Sequence, residues 1–138
     1  MEKERIKAEE NVKILKATWP VDSPEYKQGR EYYIQAEAEF NGYIEELKAK
    51  LTVGQVSDIR PKITEAVKKS DTFIQFVQSP GIAQPAIDPE AYTLVVDILI
   101  NAGKAIWEKY QGVEKDKREA ILKQLDNMKW KSFDEITP

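Results

Sequence analysis

The reactive side chains of this sequence are carboxylates, lysines, tyrosines and hydroxyls, because its 138 residues include neither cysteine nor histidine. Without those two residue types, thiol nucleophiles, serine–histidine–aspartate triads, zinc fingers and histidine-ligated haem are excluded. Diiron sites of the ferritin type are excluded as well, since they need Glu-x-x-His pairs on facing helices. The six glycines never stand close enough together to form a phosphate-binding loop.

Paired carboxylates could support glycoside hydrolysis, which needs one acid with a raised pKa and a second carboxylate at a fixed distance. Glu37 and Glu39, however, would point about 200° apart on a helix. Asp97 is the acid that we expect to be partly buried, and Asn101 and Lys104, one and two helical turns away on the same stripe, are expected to satisfy it. We therefore predict no catalytic, cofactor-binding or metal-binding residues, and a carboxylate hydrolase is only the third functional hypothesis.

The charge balance argues against a nucleic-acid-binding protein, because 21 basic and 24 acidic residues give a net charge of −3. We expect a soluble chain without a membrane span, since its most apolar segment is short and includes charged residues. The first residues lead into no apolar stretch, so no signal peptide is predicted in the chain as given. A cysteine-free composition suits the cytoplasm and also an exported domain whose signal has been removed.

Prolines and glycines divide the chain into segments with helical spacing, which predicts an all-α fold in a single domain over residues 1–138. We expect an antiparallel bundle of four main helices plus an N-terminal helix. Ser23-Pro24 and Asp88-Pro89 are typical helix starts, with a capping side chain followed by proline, and Gly112 is typical of a helix end. The predicted helices cover about residues 2–18, 24–51, 59–78, 89–111 and 114–129.

The second and fourth helices have apolar faces that are predicted to pack in the core. The second helix has an apolar seam at spacings of three and four, which favours packing over an exposed surface for stacking bases or sugars. Its members are Tyr26, Gly29, Tyr33, Ala36, Phe40, Tyr43 and Leu47. The fourth helix is the most apolar, so we expect it at the centre of the bundle with Ile98 and Leu99 facing inward.

Two further segments present apolar side chains between or after the helices, and both are candidates for partner binding. The residues concerned are Ile82 and Ile87 in the loop 79–88, and Trp130, Phe133 and Ile136 in the tail. Ser132 and Glu135 have the spacing of a capping box for one short turn within the tail. The alternative, which we favour, is that loop and tail fold back as lids over the open ends of the bundle.

The sequence favours a non-enzymatic protein-binding or structural accessory module, whose partner would be another protein or a second copy of the chain. The alternative is a carrier that holds an apolar small molecule between helices. Its cavity would be lined by Tyr33, Phe40, Ile98 and Trp107.

Overall fold

The computed structural model describes residues 2–53, 59–79 and 89–138, which form five α-helices, one 3₁₀ turn and no strand. The predicted all-α bundle is confirmed. Each helix begins and ends within about two residues of its predicted position. The helices are α1 (Glu2–Thr18), α2 (Pro24–Thr52), α3 (Arg60–Gln78), α4 (Pro89–Gln111) and α5 (Lys115–Asn127), and the 3₁₀ turn is Phe133–Glu135.

Capping and proline placement account for where α2 begins. The Ser23 side-chain oxygen accepts a hydrogen bond from the Tyr26 backbone N–H at 3.1 Å, and Pro24 occupies the first helical position. At the far end of α4, the Gly112 N–H donates to the Glu108 carbonyl at 3.0 Å. These starts and stops are local, so the sequence alone could locate them.

The start of α3 has no equivalent side-chain cap. Ile59 stands at the N-cap position without a side-chain hydrogen bond, while Pro61 lies in the first turn. The other predicted cap, Asp88, lies outside the described residues. Among the described residues, burial of the apolar face of α3 is what holds this helix in position.

Contacts between neighbouring helices give their directions. Lys62, near the start of α3, pairs with Glu39 in the middle of α2, whereas Phe76 near the end of α3 packs on Tyr32, earlier in α2. These two helices are therefore antiparallel. The connection between them is short, as an up-and-down bundle requires.

Helix α2 lies at the centre of the bundle, because each of the other four helices and the 3₁₀ turn pack against it. Its predicted seam is buried from Gly29 to Leu47. A Cβ at Gly29 would stand 2.6 Å from a methyl group of Leu15, so glycine at this position permits the close approach of α1. The buried residues of α2 are Gly29, Tyr33, Ala36, Phe40, Tyr43, Ile44, Leu47 and Leu51.

The prediction that α4 forms the centre of the bundle is wrong. Leu99 and Val96 are buried, but Ile98 is 55% exposed and Leu94 is 63% exposed. Helix α4 packs mainly against α3 and to a smaller extent against α2, and these contacts leave part of its apolar surface exposed. Composition shows how much apolar surface a helix has, but burial depends on how many neighbours it meets.

Candidate functional site

The acidic residues offer little for catalysis in the described part of the chain. No group of three or more acidic residues there is placed to hold a metal ion. Asp97 is about half exposed and pairs with Arg60 at 2.8 Å, while Asn101 and Lys104 are exposed. The predicted partners of Asp97 are therefore wrong. Its partner is Arg60 on α3, which residue spacing along α4 could not indicate.

An apolar cleft of about 290 Å³ opens between α1, α3 and α4, with one side chain of α2 lining it. Its apolar lining comes from three helices, and no single segment of sequence contains it. The apolar residues of this cleft are Phe40, Val67, Ile74, Val95 and Ile98.

Polar side chains complete the lining of the cleft. Lys3, Glu4 and Lys7 contribute from the first two turns of α1, and Ser70 and Asp71 contribute from α3. Burial raises the pKa of Asp71 above its ordinary value, and the positive charge of Lys7 opposes this effect. The cleft thus combines an apolar lining with charges of both signs.

The burial of Ser70 could have been predicted from the sequence. It continues the inward series of α3 at spacings of four, three, four and three, and it is 6% exposed. A hydroxyl residue at a core position is an informative exception to apolar patterning. The series is Ile63, Val67, Ser70, Ile74 and Val77.

Beside the cleft, Leu94 and Ile98 form an exposed apolar strip on α4, which we call the ridge. They are four residues apart, so they lie one above the other on the same helix face. Ile98 also lines the cleft, whereas Leu94 borders a shallower depression with Glu90, Thr93 and Asp97. The ridge therefore extends the apolar surface of the cleft along α4.

The tail, residues 130–138, lies against α1 and α2. Trp130, Phe133 and Ile136 are 4%, 2% and 3% exposed. The Trp130 ring stacks on Phe40 with ring centroids 4.6 Å apart, and Tyr26 meets Phe133 edge-on at 5.5 Å. This is the packing expected of a lid, and partner binding by these three residues stays a prediction.

Side chains of α1 and α2 also hold the backbone of the tail. Asn41 accepts a hydrogen bond from the Trp130 N–H at 2.7 Å and donates to its carbonyl at 3.3 Å. The Tyr33 hydroxyl donates to the Lys131 carbonyl at 2.5 Å. We call the surface formed by Lys16, Tyr33, Phe40 and Asn41 the groove.

Lys16 anchors the end of the tail. Its ammonium donates to the carbonyls of Phe133 at 2.7 Å and Ile136 at 2.5 Å, and it lies 4.4 Å from the centre of the Phe133 ring. Burial lowers the pKa of Lys16, while Asp134 opposes the shift. The predicted capping box is not formed, because Ser132 makes no side-chain cap bond at the start of this three-residue turn.

Ion pairs link α5 and the tail to the exposed side of α2. Lys129 contacts Glu45, and Lys48 pairs with Asp126 at 2.6 Å. A hydrogen bond from Lys129 lowers the pKa of Glu45, and one from Lys48 lowers the pKa of Asp126. Because these groups are largely exposed, the ion pairs contribute little to stability.

The four residues predicted to line a carrier cavity do not come together. Phe40 and Ile98 both line the cleft, but Tyr33 packs among Phe73, Trp130 and Phe133 instead. Trp107 is not among the cleft residues; it is partly buried against the core. Its indole N–H is buried without a hydrogen-bond partner among the described residues.

The remaining candidate residues, Ile82 and Ile87, lie outside the described residues. Sequence reasoning missed Lys16 and Asn41, because nothing in their spacing separates them from the exposed polar residues of α1 and α2. It also missed the cleft, whose lining residues are dispersed over four helices. These sites arise from tertiary packing, which no local pattern indicates.

No helix in residues 2–53, 59–79 and 89–138 is both long enough and apolar enough to cross a membrane. No protein-family model matches the chain, and no curated protein or solved structure matches it either.

Proposed function

We propose that this chain is a non-enzymatic protein-binding module that uses the cleft and the ridge as its binding surface. The observation that carries the proposal is the exposure of Ile98 and Leu94, at 55% and 63%, directly beside an apolar cleft. Contiguous exposed apolar surface costs free energy in water, and partners commonly cover it.

The partner of this surface is an amphipathic helix. A helix packed alongside α4 would cover the ridge with one apolar stripe and insert a large side chain into the cleft. A volume of about 290 Å³ suits such an inserted side chain, which would be fully desolvated and surrounded by apolar groups. Lys7 and Asp71 at the cleft would then orient the polar flank of the partner.

A carrier of a small apolar molecule is the second candidate, and the same cleft supports it. Ligand pockets usually have volumes of about 300–1,000 Å³, and the cleft of about 290 Å³ lies just below that range. The exposed ridge favours a protein partner, because a ligand within the cleft would leave Leu94 uncovered.

Site-specific photo-crosslinking tests the protein-binding proposal. We would replace Ile98 by the photoreactive residue p-benzoylphenylalanine and, as a matched control, replace Ile14, which is 49% exposed on α1. The expected result is one partner crosslinked from residue 98 and not from residue 14. The purified partner should bind the Ile98→Asp variant at least about tenfold more weakly than the wild-type chain. It should bind the Ile14→Asp variant with unchanged affinity.

Equal crosslinking from both positions, or an affinity unaffected by Ile98→Asp, would contradict the proposal. Native mass spectrometry distinguishes the carrier. A small molecule retained by the wild-type chain and lost on filling the cleft with Val95→Phe would support the carrier instead.

A further inference from the structure

The groove holds the tail in the way that peptide-binding proteins hold an extended ligand. Lys16, Tyr33 and Asn41 bond to main-chain groups of the tail, and none of these bonds depends on a tail side chain. In peptide recognition, main-chain hydrogen bonds supply affinity and side-chain pockets supply specificity. The groove provides both kinds of contact, and the segment that it binds is the tail of the same chain.

The pockets of the groove select large apolar residues at a spacing of three. Trp130 stacks on Phe40, Phe133 contacts Tyr26 and Tyr33, and Ile136 is 3% exposed. A fitting segment therefore has the pattern Trp-x-x-Phe-x-x-Ile. This chain carries the pattern at residues 130–136.

Helix α5 connects this tail to the bundle through a small set of contacts. Its buried residues are Ile121 and Leu125, and α2 is the main helix that it touches. Arg118 donates to the Tyr110 carbonyl at 3.2 Å and lies over the Tyr110 ring, so α4 and α5 also meet near their junction. Opening the arm, residues 115–138, would mainly break contacts with α2 and with the groove.

The junction between α4 and α5 can change direction at low cost. Only residues 112–114 separate the two helices, and none of them is proline. A continuous helix through this junction would keep its backbone hydrogen bonds, and its costs would be a glycine within a helix and the loss of the Arg118–Tyr110 contact. The arm would then project away from its own groove.

We infer that the groove accepts the arm of a second copy of this chain, so that two chains exchange their arms and form a reciprocal dimer. Every bond that holds the tail in the closed chain is remade between the two chains, with no new contact required. A second copy is the occupant that the observations favour, because it supplies the fitting segment with its flanking ion-pair residues Asp126 and Lys129.

Concentration decides between the closed chain and the exchanged dimer. A tethered segment acts at an effective concentration of about 1 mM, so the closed chain predominates in dilute solution. Exchange is expected when chains refold together at concentrations near that value. The dimer is then trapped on dilution, because the arms must leave their grooves before the chains can close.

The absence of cysteine provides a direct test with single-thiol variants of the full chain. Glu45 on α2 contacts Lys129 on the arm, so Glu45→Cys places a thiol on the bundle and Lys129→Cys places one on the arm. The two variants are unfolded together, refolded at high concentration, diluted, and treated with a short bismaleimide reagent. The control replaces Glu45→Cys by Gln35→Cys, an exposed position elsewhere on α2.

The expected result is a crosslinked heterodimer joined between residues 45 and 129, at several times the yield of the Gln35→Cys control. Adding Ile98→Asp to both chains should leave this yield unchanged, which separates arm exchange from binding at the ridge. A chain that remains monomeric by light scattering at the refolding concentration would overturn the inference. A dimer whose 45–129 linkage does not exceed the control would overturn it too, since association would then use another surface.

Discussion

The tail and the ridge are both apolar, but the bundle covers one and leaves the other exposed. Trp130, Phe133 and Ile136 come from a segment with only one short 3₁₀ turn, yet α1 and α2 bury them almost completely. Leu94 and Ile98 come from the most apolar helix, yet more than half of each remains exposed. Apolar character therefore indicates which residues can be buried. Whether a residue is buried depends on how many other segments pack around it.

The difference follows from how each segment meets α2. Backbone groups of the tail form hydrogen bonds with the side chains of Lys16, Tyr33 and Asn41. The tail can therefore lie on the bundle without forming a helix of its own. The backbone hydrogen bonds of α4 form within the helix itself, so one buried strip of side chains is enough to hold it on the bundle. That strip includes Val96, Leu99 and Tyr110. Outside that strip, Leu94 and Ile98 remain exposed.

The largest expected effect is at Trp130. Trp130→Ala would remove a 4%-exposed indole from its stack on Phe40 and should lower the free energy of unfolding by about 3–5 kcal/mol. Leu94→Ala, on the ridge, should change it by no more than about 0.5 kcal/mol. Urea denaturation measures both variants, and equal midpoints would show that the tail is not packed as described.

Adjacent residues on α4 sharpen the comparison within one helix. Leu99→Ala should lower the free energy of unfolding by about 2–5 kcal/mol, because Leu99 is 1% exposed. Ile98→Ala should cost no more than about 0.5 kcal/mol. Chemical denaturation of the two variants tests this directly, and a similar large loss for Ile98→Ala would restore the sequence-based expectation that both face inward.

Much of the fold follows from local signals in the sequence. Ser23-Pro24 predicted the start of α2, and the spacing from Gly29 to Leu47 predicted its buried seam, since both patterns act within one helix. The position of α4 in the bundle and the partner of Asp97 could not be predicted. Both depend on how α3 packs, and residues of α4 carry no information about that.

The candidate site was less predictable than the fold. The tail residues were singled out because their apolar spacing is visible in the sequence, and the preferred interpretation as a lid agrees with their burial. Asn41 and Lys16 act on backbone atoms of the tail, so no side-chain pattern in the tail corresponds to them. The cleft needs the tertiary arrangement of four helices to exist at all.

An intermediate effect is expected at Lys16. Lys16→Met retains the aliphatic stem but removes the ammonium that bonds to the Phe133 and Ile136 carbonyls, so we expect a loss of about 1–3 kcal/mol. Lys13→Met, at an exposed neighbouring position, is the matched control and should be nearly neutral. Thermal or urea unfolding gives both values. No difference between them would mean that the ammonium does not hold the tail.

The smallest effect concerns Asp71 in the cleft. Because burial raises the pKa of Asp71, its carboxyl group binds a proton more tightly in the folded chain than in the unfolded chain. The folded chain therefore holds more protons between the two pKa values, and its stability falls as pH rises through that interval. Asp71→Asn should therefore raise the melting temperature slightly at pH 7, because it removes the cost of burying this carboxylate in the cleft.

That stabilisation should disappear below the ordinary aspartate pKa of 3.8, where the wild-type carboxyl is protonated in both states. Melting temperatures of both chains between pH 3 and pH 7 measure the difference. If Asp71→Asn is destabilising at pH 7, the carboxylate forms a favourable contact that outweighs its burial.

The contrast between tail and ridge is tested most directly by comparing the same substitution at one isoleucine from each. Ile136 is 3% exposed and Ile98 is 55% exposed, and a chain without cysteine allows each to be replaced separately by a single thiol. Under native conditions, the thiol of Ile98→Cys should react with a maleimide probe about as fast as it does in the unfolded chain. The thiol of Ile136→Cys should react at least about 100-fold more slowly, because the tail must first open. Equal reaction rates at the two positions would contradict the account.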